Sequence, residues 1–215
     1  MPPSEAAIPI EDHPRRRCDA KAALRVEALG RRAGLDEPAR SDASRAIVAA
    51  LLALPWRSGL TFAAYLPIRD EVDLTAAIAA LDSRGHAVVL PAVIGPGLAF
   101  RRYRPGDALV VGAFGTRFPA ADAAELPPDV VLLPLAAFDR AGGRIGYGGG
   151  FYDRAVARLR ADGVRPCLIG AAFSVQEVNS IPLEPHDVPL DLVATERGLV
   201  RSASWDTIRP CVCCS

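Results

Sequence analysis

The sequence predicts an α/β layered domain with a largely parallel sheet. Short apolar runs of strand length alternate with segments of helical periodicity along the 215 residues, the order that produces strand–helix–strand units. One run, residues 130–135 (VVLLPL), is almost continuously apolar, as expected of a central strand covered on both faces. Half of the residues are hydrophobic, enough to bury one sizeable core, and a single domain is expected at this length.

The elements follow in order. Residues 1–16, Pro-rich and acidic up to Pro14, lack periodicity and are expected to be disordered. From Arg17 the text turns helical, with Leu24, Leu29 and Leu35 flanked by Arg25, Glu27, Arg31 and Arg32. Ser41 or Asp42 is placed to cap a second helix through Leu54, which Pro55 ends. Residues 59–66 (GLTFAAYL) form a strand candidate, and Asp73 is placed to cap a helix carrying Leu74, Ile78 and Leu81 until Gly85. Residues 86–93 and 98–103 are further strands, the latter followed by a Pro105-Gly106-Asp107 turn. After 130–135 comes a glycine-rich loop, then a helix over 151–161 with Tyr152, Val156 and Leu159 on one face. Residues 166–173 are a buried strand, and 192–195 and 198–200 are short terminal ones. The domain is therefore set at 17–202, with 203–215 as a tail.

Composition removes several function classes. The 25 basic and 25 acidic residues cancel, so the basic excess of a nucleic-acid binder is missing. No window of about 18 apolar residues exists, which argues against a membrane helix. The N-terminus has no apolar signal-peptide core, so a cytoplasmic protein is expected. Five cysteines, an odd number, argue against a disulfide framework. Cys211, Cys213 and Cys214 lack a second ligand cluster and read as a frayed, reduced terminus rather than a metal site. Lys21 is the only lysine among the 25 basic residues. A chain that uses arginine everywhere else and keeps one lysine points weakly to a place for a compact ammonium there, with chance as the alternative.

The segment that carries chemistry is 144–154 (RIGYGGGFYDR). Gly142, Gly143, Gly146, Gly148, Gly149 and Gly150 put six of the 18 glycines within nine positions, between a buried strand and a helix. Glycines let backbone N–H groups converge on a ligand, a helix N-terminus favours phosphate, and Arg144 can add a bidentate contact. The spacing fits neither a Walker A loop nor a dinucleotide fingerprint. A plain surface loop is the alternative, and Tyr147, Phe151 and Tyr152 around the glycines speak against it. Asp153 and Asp187 are the candidate magnesium ligands, since Mg2+ needs only one or two carboxylates beside substrate phosphates. Helix-dipole and turn chemistry are their alternatives. His186 is a candidate base or a solvated loop residue. Glu71, at the carboxyl end of the first strand, is placed either to accept ring N–H groups or to cap the next helix with Asp73.

These residues resemble the 5-formyltetrahydrofolate cyclo-ligase family. The 144–154 segment is similar to that family's glycine signature almost throughout. Lys21-x-x-Leu24-Arg25, 65–71 (YLPIRDE), 104–107 (RPGD), 134–139 (PLAAFD), 185–187 (PHD) and 195–196 (TE) match in order. The match spans residues 21–200. Two departures stand out: residues 115–119 lack the family's acid, and Phe151 has no hydroxyl where relatives often carry tyrosine. The resemblance implies a three-layer α/β/α sandwich akin to sugar-phosphate isomerases and CoA transferases. It implies a monomer that takes ATP and a reduced folate, with no nucleic-acid or membrane partner. Lys21, Arg25, Arg144, Ile145, Gly146, Tyr147, Gly148, Gly149, Gly150, Phe151 and Tyr152 would bind ATP. Leu66 and Glu71 would bind the folate, with Phe151 and Tyr152 near the pterin, and Asp153 and Asp187 would bind Mg2+. Lys21 and Arg144 would be catalytic. The implied reaction is ATP-dependent closure of 5-formyltetrahydrofolate to 5,10-methenyltetrahydrofolate through a phosphorylated formyl group. The competing readings are a sugar-phosphate isomerase of similar architecture, which needs no ATP, and a protein that only sequesters folates or nucleotides.

Overall fold

The computed structural model describes residues 14–213. Helices α1 (Pro14–Ala33) and α2 (Glu37–Leu52) precede strand β1 (Thr61–Ala63), helix α3 (Thr75–Ser83) and the antiparallel pair β2 (Ala87–Ile94) and β3 (Gly97–Arg102). A hairpin of β4 (Leu109–Val111) and β5 (Arg117–Pro119) follows, then β6 (Val130–Pro134) and a small hairpin of β7 (Ala137–Phe138) and β8 (Arg144–Ile145). Helix α4 (Phe151–Ala161), strands β9 (Cys167–Ala171), β10 (Leu192–Thr195) and β11 (Gly198–Arg201), and helix α5 (Trp205–Val212) complete the chain.

Seven strands form the main sheet in the order β11-β10-β9-β6-β1-β2-β3. The five inner strands are parallel, and β3 and β11 pair antiparallel at the edges. The period-2 alternation of side chains divides each inner strand between two cores. On one face Phe62, Val88, Leu90, Val130, Leu132 and Ile169 pack with Ile47 and Leu51 of α2, Ile78 and Leu81 of α3, and Trp205 of α5. On the other, Val89, Val131, Leu133 and Leu168 pack with Val156 and Leu159 of α4. Both faces are thereby covered, which is why 130–135 carries no polar alternation. The result is the three-layer, mostly parallel arrangement that the sequence predicts.

Several boundaries differ from expectation. The cap of α2 is Asp36, whose carboxylate accepts the Ala39 N–H at 2.8 Å, whereas Ser41 and Asp42 lie inside the helix. Pro38 sits in the first turn, where its missing N–H costs nothing, so the helix starts earlier. Helix α1 begins at Pro14 rather than Arg17. Residues 14–16, expected to be disordered, are therefore helical; the rest of that expectation concerns residues 1–13, outside the described residues. Strand β1 spans three residues instead of eight, because the chain leaves the sheet after Ala64 donates to Val89 O at 3.0 Å. The hairpins β4–β5 and β7–β8 are too short to show periodicity. Residues 205–212 form a helix rather than a frayed end, with Trp205 and Cys213 buried and Arg57 N–H donating to Val212 O at 3.0 Å. The side chains of Cys211 and Cys214 lie outside the described residues. No helix among the described residues is long and apolar enough to cross a membrane.

Candidate active site

The sheet order sets the position of the site. From β1 the chain crosses through α3 to β2 on one side, and from β6 it crosses through α4 to β9 on the other. Between β1 and β6 the winding reverses, and the carboxyl ends of the strands there open a crevice. A cleft of about 1050 Å3 occupies this position.

The residues assigned to nucleotide, folate and magnesium in the sequence all line that cleft. Lys21 and Arg25 come from α1, and Leu66 and Glu71 from the segment after β1. Arg144 and Ile145 come from β8, Gly146, Tyr147, Gly148, Gly149 and Gly150 from the loop, and Phe151, Tyr152 and Asp153 from the start of α4. Asp187 and His186 come from the loop before β10.

The glycine loop is built from below by Asp139, which is 4 % exposed. Its carboxylate accepts N–H groups of Ala141 at 2.9 Å, Gly143 at 2.8 Å and Ile181 at 2.8 Å. A Cβ at Gly143 would lie 2.6 Å from that carboxylate, so only glycine permits the approach. Gly150 caps α4 in the left-handed region (φ 60°) without a side-chain cap bond, which leaves the first N–H groups of α4 for a ligand.

Cations and carboxylates interlock around the loop. Lys21 Nζ donates to Glu184 at 2.9 Å and also to Asp187. Burial alone would lower the Lys21 pKa, but hydrogen bonds and charge from Asp187 and Glu184 raise it above its ordinary value. The bond from Lys21 holds Glu184 below the usual carboxylate range. Arg144 Nη2 donates to Asp153 at 2.5 Å. Burial depresses the Arg144 pKa against the opposing charges of Asp153 and Asp187. Arg25 Nε donates to Gly146 O at 2.7 Å and ties α1 to the loop.

The aromatic wall is drier. Glu71 is 8 % exposed and accepts the Ile68 N–H at 3.0 Å. Burial raises its pKa against hydrogen bonds from Ile68 and Tyr147 and the charge of Arg32. Burial likewise raises Tyr65, Tyr147 and Tyr152, with the Glu71 charge next in effect, so these phenols stay neutral donors. Asp73, not Glu71, takes the first N–H of α3, from Thr75 at 2.8 Å. This leaves Glu71 free for the cleft.

For a divalent cation, Glu184, His186 and Asp187 bring one ligand atom each within 4.8 Å of one another. Two carboxylates in such a group suit Mg2+, which keeps several waters and substrate oxygens. Asp153, by contrast, is engaged by Arg144 and accepts the Val188 N–H at 3.3 Å. Glu184 and Arg32 were not singled out as site residues in the sequence. Glu184 had a signal, lying three residues before Asp187 in one polar loop whose turn closes through Glu184 N–H to Asp187 at 2.7 Å. Arg32 had none: it reads as the solvated flank of a helix, yet it is 3 % exposed.

Comparisons with known proteins find related sequences and folds. The model of the 5-formyltetrahydrofolate cyclo-ligase family matches residues 17–196. The chain is 35 % identical over 194 residues to the 5-formyltetrahydrofolate cyclo-ligase of Mycolicibacterium smegmatis, covering 84 % of this chain and 96 % of that one. The NMR structure of Aquifex aeolicus 5,10-methenyltetrahydrofolate synthetase superposes with a TM-score of 0.73 at 32 % identity, over 85 % of this chain and 93 % of that one. The Mycoplasma pneumoniae 5,10-methenyltetrahydrofolate synthetase gives a TM-score of 0.63 at 26 % identity, over 82 % and 98 %. With a shared fold, a match across the cleft-forming segments and high coverage of both chains, the chain belongs to the 5-formyltetrahydrofolate cyclo-ligase family.

Proposed function

We propose that the protein closes 5-formyltetrahydrofolate to 5,10-methenyltetrahydrofolate at the expense of ATP, as a monomeric cytoplasmic enzyme. One observation carries the reading: a single cleft joins a cation-rich glycine loop to a dry aromatic wall containing a buried carboxylate. The first suits a nucleoside triphosphate and the second a heteroaromatic ring with N–H donors.

A formamide oxygen is a poor leaving group, so it must be activated. In the proposed sequence the formyl oxygen attacks the γ-phosphorus of ATP and ADP departs. N10 then attacks the activated formyl carbon and the ring closes; the N10 proton passes to the departing phosphate, which leaves with the former formyl oxygen and yields the N5–C–N10 amidinium cation. Phosphoryl transfer depends on positioning and charge neutralisation rather than side-chain covalency. Lys21 and Arg144 are placed to neutralise the transferring group, with Arg25 and the N–H groups of residues 146–152 holding the triphosphate. In the ligand-free chain Lys21 and Arg144 are paired with Glu184, Asp187 and Asp153. Incoming phosphates would exchange for these carboxylates. Leu66, Glu71, Phe151 and Tyr152 hold the folate, Glu71 accepting from the pterin. Mg2+ would be held by Asp187 with Glu184 beside it, Asp153 joining once Arg144 turns from it to phosphate, and when bound it supplies charge neutralisation on the phosphates.

The test mixes protein, 5-formyltetrahydrofolate and Mg-ATP and follows the methenyltetrahydrofolate absorbance band. Growth of the band that stops without ATP or with EDTA supports the reading. A flat trace with folded protein that still binds ATP moves the substrate elsewhere, and a flat trace without nucleotide binding removes the ligase reading.

A further inference from the structure

We propose that Arg32 is a positioning residue that clamps three walls of the cleft and sets the Glu71 carboxylate for the folate. This rests on the folate role proposed for Glu71. Arg32 lies near the end of α1 and is 3 % exposed. Its Nη1 donates to the Tyr147 hydroxyl at 2.8 Å and to Leu135 O at 3.3 Å, and its Nη2 donates to Asp70 at 2.7 Å. These acceptors belong to the glycine loop, the corner after β6 and the β1–α3 loop. The guanidinium carbon also stands 5.8 Å from the centre of the Tyr147 ring. Tyr147, whose hydroxyl accepts from Arg32, lowers the Glu71 pKa, and Asp70, held by Arg32, is the chain neighbour of Glu71.

The buried cation thus grips Asp70, next to the buried carboxylate in the chain, and a phenol of the glycine loop. The groups facing Glu71 are Arg32 on α1, Tyr147 on the loop, Tyr65 after β1, Tyr152 on α4 and Asp70 beside it. Arg32 is the cation acting on Glu71 in this group. Stability alone is a weak reason to bury a guanidinium, since an apolar replacement of a buried ion pair is often neutral or stabilising. Geometry is a stronger one: a rigid fork can hold three acceptors at fixed spacing, and a lysine cannot.

The test titrates the Glu71 carboxyl by 13C NMR, assigned by its loss in Glu71→Gln, in the wild type, Arg32→Met, Arg32→Lys and Tyr147→Phe. Alongside, kcat and KM are measured for 5-formyltetrahydrofolate. Arg32→Met is expected to move the Glu71 titration upward, with the acid limb of kcat/KM following it and KM at pH 7 rising about tenfold, the equivalent of one positioned hydrogen bond. Arg32→Lys keeps the charge and loses the fork, so the titration moves less while kcat falls. Should Arg32→Met not fold, Tyr147→Phe removes only the hydroxyl that Arg32 holds, from a residue that is 41 % exposed, and must shift the titration in the same direction. A lower Tm with an unmoved Glu71 titration and unchanged KM makes Arg32 a structural residue and overturns the proposal. Should the wild type not turn over 5-formyltetrahydrofolate, the folate reading falls, while the titration still decides whether Arg32 sets Glu71.

Discussion

Replacing Glu71 by glutamine removes an ionisable group from a wall where charge is costly and keeps its shape. Glu71 is 8 % exposed, and burial is the main cause of its raised pKa. A carboxyl whose folded pKa lies above its unfolded value contributes stability that is present below the unfolded pKa. That contribution is lost as pH rises through the folded pKa. Above its folded pKa the wild type therefore carries an ionised, partly desolvated carboxylate, and the amide does not. The expected gain for Glu71→Gln is about 1 kcal/mol, the scale of a buried polar group with incomplete partners, or roughly 2–4 °C in Tm for a chain of this size. The gap is expected to close as pH falls through the Glu71 titration. Function moves the other way. A charge-assisted hydrogen bond is worth about 1.5–3 kcal/mol, so kcat/KM for 5-formyltetrahydrofolate should fall by roughly 10- to 100-fold. Scanning calorimetry from pH 4 to 8 and the absorbance assay read the two effects. A variant less stable than wild type at pH 7, or one that keeps its KM, refutes the reasoning.

Lys21→Ala removes the only lysine, and kcat is expected to fall by about 10²–10³, the cost of losing one preorganised charge donor, with the circular dichroism spectrum retained; undiminished turnover ends its catalytic role. Asp187→Asn should raise the Mg2+ concentration needed for half-maximal rate about tenfold or more, read by Mg2+ titration after EDTA treatment, and an unshifted curve would place the cation elsewhere. Asp36→Ala removes the α2 cap and should cost about 1 kcal/mol without changing KM for either substrate, since its bond to Ala39 lies on an exposed turn. Gly170→Ala places a Cβ 2.4 Å from Leu135 Cδ1 and 2.9 Å from Leu190 Cδ1, and overpacking should cost about 1–3 kcal/mol, read as a lower Tm; an unchanged Tm would mean that both leucines yield freely.

The sequence by itself determined the layer architecture and the whereabouts of the chemistry. The 130–135 run reads as a strand covered on both sides, and residues 130–134 of it form the middle strand of seven, β6. Helix α4 and strand β10 occupy the predicted residues; for α4 the helical periodicity and the glycines before it are local signals. The glycine cluster announced itself because backbone approach to a ligand demands that residue type. Pairings between residues far apart in the chain were beyond reach. Lys21 meets Glu184 and Asp187 across 163 and 166 positions. Arg32 meets Tyr147 across 115 positions, so an arginine with no sequence signal becomes a buried clamp. The short hairpins and α5 were also decided by tertiary contact, since two- and three-residue strands and an eight-residue helix are held by what they pack against rather than by their own propensity.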